Sequence, residues 1–166
     1  MSEWLLIRPA TPADAAVLVE LGRAVASEPE GWMTYGRRAT DERRNLRALR
    51  RDPHAAVFVA ETEEGVVGRL SVSRDSHPAS HHVAEFGLMV GEGHRRRGIG
   101  TALIEEAVKW ARSAGVTKLE LHVFPHNEPA LELYEKLGFR KEGYRRRHYR
   151  RGEEYVDAVL MALDVQ

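Results

Sequence analysis

The chain of 166 residues contains no cysteine, no excess of charge of either sign and no long apolar run. Each absence closes a class of function. Without cysteine there are no disulfides, no thiolate metal ligands and no cysteine nucleophile. With 25 basic against 25 acidic side chains and eight histidines, the formal net charge is zero. A protein that wraps nucleic acid ordinarily carries a clear basic excess, so the charge balance argues against nucleic acid as a partner. The longest apolar stretch near the C-terminus, Ala158–Leu163, is about a quarter of the roughly 20 residues a spanning helix needs. The N-terminal MSEWLLIRP is too short for a signal-peptide core. A cytoplasmic protein with no membrane segment is expected. Aromatic residues are only 7% of the chain, but apolar residues reach 43%, enough for a buried core. At roughly 100–200 residues per domain, residues 1–166 read as a single domain.

What is present is a regular alternation of strand and helix patterns. Trp4–Ile7 predicts a short strand ended by Arg8 and Pro9. Thr11-Pro12-Ala13-Asp14 reads as a helix start, with a capping threonine, proline in the first turn and an acid at the positive end. Ser27–Gly36 reads as a loop. A second helix is predicted from Thr40 to Asp52, with Leu46 and Leu49 inward and arginines at 43, 44, 47, 50 and 51 outward. Ala55–Glu61 and Val66–Ser73 form a predicted hairpin around Glu63-Glu64-Gly65. Ala84–Val90 reads as a buried strand and Gly98–Ala114 as a helix stopped by Gly115. Val116–Phe124 is the next strand. Asn127 caps a short helix through Lys136, and strands near Arg140–Arg147 and Tyr155–Val165 close the chain. The strand–helix–strand unit in the middle requires Ala84–Val90 and Val116–Phe124 to be parallel. The fold class is α/β, with a mixed sheet.

The most informative stretch is Val90–Ala102, VGEGHRRRGIGTA, which leaves a strand and opens a helix. The first turn of a helix offers free amides and partial positive charge to phosphate. Gly98 and Gly100 allow close approach, and Arg95, Arg96 and Arg97 add charge. A P-loop is excluded, because Ile99 and Gly100 occupy the positions of its Lys and Ser/Thr. A dinucleotide fingerprint fits poorly, because Leu103 stands at its third glycine. The remaining pattern is Arg-x-x-Gly-x-Gly, met by Arg95, Gly98 and Gly100.

That pattern resembles the signature of the GNAT family of acyl-CoA N-acyltransferases. HNEPALELYEKLGF (126–139) resembles the family's second block. From the start of the first block to the end of the second, residues 90–139, the resemblance spans about a third of the chain. The resemblance implies the GNAT fold: about seven strands and four helices, splayed at the parallel fourth and fifth strands. It implies acetyl-CoA as cosubstrate. Its pyrophosphate would lie on the amides of the 95–101 loop, including Ile99 and Thr101. Its pantetheine would pair in β-like fashion near Met89 and Val90, with the Val90 amide as oxyanion donor. Asn127 would bond the coenzyme A arm, and the Tyr134 hydroxyl would face the sulfur. The competing explanation for Tyr134 is a core residue, since Ala130, Leu131, Tyr134 and Leu137 share a helix face.

Acyl transfer from a thioester to an amine needs a deprotonated amine, an oxyanion donor and a stabilised thiolate. With no cysteinyl acyl-enzyme available, direct attack within a ternary complex is expected. The acceptor would be a primary amine, either a small molecule or a peptide N-terminus. Glu85, on the strand leading to the loop, is a candidate general base through a pKa raised by partial burial; a structural or substrate-orienting glutamate is the alternative. His82, His122 and Glu28 are further candidates. His77, His81 and His82 lie in a loop and are read as solvated, with no metal site. Arg145 and Arg147 are expected on one face of a strand and Arg146 on the other, as a solvated edge or a surface for an acidic partner. A non-catalytic coenzyme A-binding sensor is the competing function, and the resemblance is compatible with a homodimer.

Overall fold

A computed structural model describes residues 4–31 and 38–166. The strands are β1 (Leu6–Pro9), β2 (Ala55–Thr62), β3 (Gly65–Arg74), β4 (Val83–Val90), β5 (Lys118–Val123), β6 (Arg140–Arg151) and β7 (Glu154–Asp164). The helices are α1 (Ala15–Ala26), α2 (Ala39–Leu49), α3 (Ile99–Ala114) and α4 (Glu128–Lys136), with short 3-10 turns at Pro12–Asp14 and Pro78–Ser80. One sheet contains all seven strands in the order β1-β2-β3-β4-β5-β7-β6. Every neighbouring pair is antiparallel except β4 and β5.

Strand alternation feeds two apolar layers. On β2, Phe58 and Ala60 face the larger core with Leu70, Phe86 and Leu103, while Val57 and Val59 face a smaller core with Leu18 and Leu46. The larger core is closed by α3, whose Ile99, Leu103, Ile104, Ala107 and Ala111 are buried. Those positions recur at the three- and four-residue spacing that puts side chains on one helical face. Gly115 ends α3 at φ 76°, the left-handed cap its sequence position predicted.

Three elements depart from the sequence expectations. The first strand runs Leu6–Pro9 rather than Trp4–Ile7, and Trp4, Leu5 and Leu6 are exposed. Backbone pairing with Glu61–Phe58 sets its position. Arg8 is tolerated there because it pairs with Asp14 at 2.9 Å and Glu61 at 2.8 Å. Pro9 is tolerated because β1 is an edge strand. In α2, Leu46 is buried and Leu49 packs half-buried against the smaller core as expected, but Glu42 is fully buried as well. Glu42 reaches Arg69 of β3 at 2.8 Å. The third departure is β6, which continues to Arg151 through an irregular segment. Arg145 opposes Ala158 and Tyr149 opposes Val156, so four steps on β6 match two on β7. Arg147 has φ 51°. Simple alternation of Arg145, Arg146 and Arg147 therefore does not hold.

The feature that positions the site is the short contact between β4 and β5. Only Val83, Ala84 and Glu85 pair with Lys118, Leu119 and Glu120. Beyond Glu85 the strands diverge, while β4 stays paired to β3 as far as Val90. The edge of β4 that faces β5 is thus open over its C-terminal half.

Candidate functional site

β4 delivers the chain into the 91–98 loop, and α3 opens directly after it. Gly98 holds the N-cap position at φ 80°, and Arg96 is also left-handed, at φ 64°. A Cβ at Gly98 would meet nothing within 4 Å, so glycine is needed there for its backbone angle. At Gly100 the reason is packing, because a Cβ would lie 3.1 Å from Leu133 and 3.5 Å from Leu88. Left-handed residues alternating with ordinary ones turn successive amides to one side, the backbone form that suits anions. Ile99 is buried and pins the first turn to the core, so the amides of Ile99, Gly100 and Thr101 sit in a fixed frame. Arg96 and Arg97 are exposed beside it. The open turn, the helix end and these two charges fit the pyrophosphate of a coenzyme A.

Arg95 is placed differently. Its Nε donates to the Val90 carbonyl at 3.0 Å, and its two terminal nitrogens donate to Glu28 at 2.6 and 2.7 Å. Glu28, a candidate base in the sequence, is committed to this pair, with a side chain 6% exposed. Met89 is buried and Val90 half-buried at the end of β4.

Below the splay, Asn127 caps α4 through a hydrogen bond from the Ala130 amide to its Oδ1, 3.3 Å. Tyr134 lies on the buried face of α4, edge-on to Phe86 and Phe139 with ring centroids 6.1 and 5.7 Å away. It is both a core residue and a neighbour of β4. Burial pushes its phenol well above the usual tyrosine range, so it keeps its proton.

On the α1–α2 side of the sheet is a cleft of ≈ 400 Å³. Its walls include Asn45, Leu49, Arg69, Ser71, Glu85, Gly87, His122 and Tyr149. Glu85 is 51% exposed, more open than partial burial would make it, and its carboxylate is 3.7 Å from His122 Nδ1. The same Nδ1 is 2.9 Å from the Tyr149 hydroxyl. Burial holds the His122 imidazole below its ordinary pKa, with Glu85 acting in the opposite direction. Burial raises the Tyr149 phenol, and Glu85 adds to that.

Of the candidates for proton acceptor, the structure brings Glu85 and His122 together. His82 is exposed just before β4, and its carbonyl receives the Thr117 and Lys118 amides. His77 caps the Pro78–Ser80 turn, its ring nitrogen accepting the Ala79 amide at 3.0 Å. Of the predicted loop Ser27–Gly36, positions 32–36 lie outside the described residues. Tyr149, Arg69 and Ser71 line the cleft without having been singled out in the sequence. The irregular 145–149 segment hides the phase of Tyr149, whereas strict alternation along β3 could have paired Arg69 with Ser71.

Comparison with known proteins agrees with this geometry. The acetyltransferase (GNAT) family model matches residues 22–139. The chain is 38% identical over 114 residues to the L-amino acid N-acetyltransferase AaaT of Escherichia coli (strain K12), covering 66% of this chain and 68% of that protein. It is 36% identical over 80 residues to a [ribosomal protein bS18]-alanine N-acetyltransferase of Salmonella typhimurium, spanning 48% of this chain and 54% of that one. The crystal structure of a GNAT-family acetyltransferase from Streptococcus pneumoniae superposes with TM-score 0.87 at 27% identity, covering 98% of this chain and 100% of that one. The structure of yncA from Salmonella typhimurium with acetyl-CoA shares the fold, with TM-score 0.84 at 22% identity, over 98% of this chain and 95% of that one. The family match over most of the chain, on a sheet that opens at the parallel β4–β5 pair, shows that this protein belongs to the GNAT family of acetyl-CoA-dependent N-acetyltransferases.

Proposed function

We propose that the protein transfers the acetyl group to a primary amine held in the cleft above Glu85, by direct attack in a ternary complex. The observation that carries this reading is the Glu85–His122–Tyr149 cluster, drawn from β4, β5 and β6, whose Glu85 lies on the strand that runs on into the coenzyme A loop. Arg69 is already paired with buried Glu42. The Glu85 carboxylate therefore gives the cleft a negative bias, suited to receiving an ammonium ion.

In the reaction, Glu85 orients the ammonium and takes its proton, directly or through water. His122, kept neutral by its burial, is the second acceptor within reach. The freed nitrogen lone pair attacks the thioester carbonyl. The C–N bond forms and the Val90 amide bonds the oxyanion; as the C–S bond breaks, the nitrogen gives up its second proton to His122 or, through water, to the departing sulfur. The departing thiolate takes a hydrogen bond from the Tyr134 hydroxyl. A thiol of pKa about 8.5 is more acidic than a phenol of about 10, so hydrogen bonding rather than complete transfer is the role assigned to Tyr134.

The acceptor class follows from size and from relatives. The cleft lies at the small end of the roughly 300–1,000 Å³ range of ligand pockets. The relatives act on L-amino acids and on an alanine of ribosomal protein bS18, and both activities end on an amino-acid nitrogen. The proposed acceptor is therefore an α-amine, free or at a peptide N-terminus.

The test has two arms. Coenzyme A at about 100-fold its Kd should stabilise the fold by about 2.7 kcal/mol, a rise in Tm of roughly 5–11 °C for a protein of this size. Thiol release from acetyl-CoA should then appear with L-amino acids or short peptides and vanish when their α-amine is blocked. Stabilisation without thiol release from any primary amine would overturn the reading.

A further inference from the structure

Arg96 and Arg97 are exposed at the cofactor loop, but Arg95 is turned into the protein. Its two terminal nitrogens meet both oxygens of Glu28, at 2.6 and 2.7 Å, and its Nε meets the Val90 carbonyl at 3.0 Å. A forked pair of this kind fixes orientation as well as distance. It joins the residue just after the α1 cap to the last residue of β4. The Glu28 side chain is 6% exposed, so the contact is shielded from solvent on that side.

A phosphate ligand needs a positive charge that is not already cancelled. At contact distance the Glu28 carboxylate neutralises Arg95, whereas Arg96 and Arg97 keep their charges for the solvent side. Resting on the acetyl-transfer reading above, we propose that Arg95 is a positioning residue and not a phosphate ligand. With Glu28 it forms a brace that holds Val90, and so the amide assigned to the oxyanion, in register with the thioester carbonyl.

The segment that carries Glu28 is anchored from two other directions. His126 Nε2 lies 2.9 Å from the Glu30 carbonyl and 3.2 Å from that of Gly31, so it is the protonated nitrogen. Arg151 donates to the Gly31 carbonyl at 2.6 Å. With those anchors in place, loss of the brace shows in the rate of transfer rather than in folding.

The two roles for Arg95 differ in sign for one substitution. Glu28→Gln keeps the shape and removes the charge. If Arg95 bound phosphate, freeing it would tighten coenzyme A. For a brace, Glu28→Gln, Arg95→Gln and Arg95→Lys each leave the calorimetric Kd for coenzyme A within about threefold. Each also lowers kcat at saturating acetyl-CoA and amine by about tenfold or more. The Glu28→Gln/Arg95→Gln pair is no slower than the slower single variant, because both remove one interaction. Arg95→Lys keeps a charge but loses the fork, so it separates geometry from electrostatics. The proposal is overturned by tighter coenzyme A binding in Glu28→Gln. It is equally overturned by wild-type kcat in the single variants, or by a tenfold loss of coenzyme A affinity in Arg95→Gln that pantetheine does not share. Should Arg95→Gln fail to fold, Glu28→Gln and Arg95→Lys carry the same comparison. Wild-type protein that binds coenzyme A but acetylates no amine would instead overturn the transfer reading, and the affinities would still decide the phosphate role of Arg95.

Discussion

At Tyr134, burial and function require the same thing of one hydroxyl. The ring packs against Phe86 and Phe139, and burial raises the phenol, so the proton stays in place at every ordinary pH. Tyr134→Phe keeps the ring contacts and removes only the donor. The expected result is little change in Tm or coenzyme A affinity and a kcat about 10- to 100-fold lower, the worth of one hydrogen bond to a charged group. Thiol release at saturating acetyl-CoA checks it, and unchanged turnover would remove the assigned role. His122 provides a prediction in pH. Its folded pKa is depressed by burial. The stability from its neutral form is therefore complete above the unfolded histidine value and is lost as pH falls through the folded one. Transfer should decline along the same acidic limb, as His122 takes up its proton. His122→Asn should weaken both trends, measured as a kcat–pH profile and as urea midpoints at pH 7.5 and pH 5.

α2 shows how an element can be held by its polar side. Its arginines at 43, 44 and 47, and Arg50 and Arg51 just beyond its end, are exposed, while Glu42 is fully buried beside Arg69. Glu42→Ala would strand a buried guanidinium and should cost about 3–5 kcal/mol. Replacing both partners by apolar residues of similar size should recover most of that, and urea unfolding of the wild type and these two variants checks it. This contact also marks the limit of reading the sequence. The 98–114 helix, its glycine stop, the Asn127 cap and the loop motif were legible because each is written in neighbouring residues. Glu42 was not, because a glutamate on an arginine-rich helix reads as solvated until β3 supplies its partner. The cleft was only half legible for the same reason. Glu85 and His122 could be named as separate candidates, but their meeting depends on the β4–β5 register. Tyr149 joins them through an irregular strand whose phase no alternation rule describes.

For the whole molecule, the neutral total conceals a division of labour between the two sides of one sheet. α3 and α4 close the larger core and present the loop and Tyr134, while α1 and α2 cover the smaller core and α2 walls the cleft through Asn45 and Leu49. What joins the two halves of the sheet is the pairing of β4 with β5, three residues on each strand. That brevity has a kinetic consequence for single backbone protons. Amides of β4 and β5 beyond Glu85 and Glu120 that point into the gap have no partner strand to slow their replacement by deuterium. They should exchange quickly in the free protein and be retarded when coenzyme A fills the gap. Amides of the β2–β3 hairpin, paired along its length, should keep their rates. Deuterium uptake with and without coenzyme A would thus trace the ligand along the sheet residue by residue.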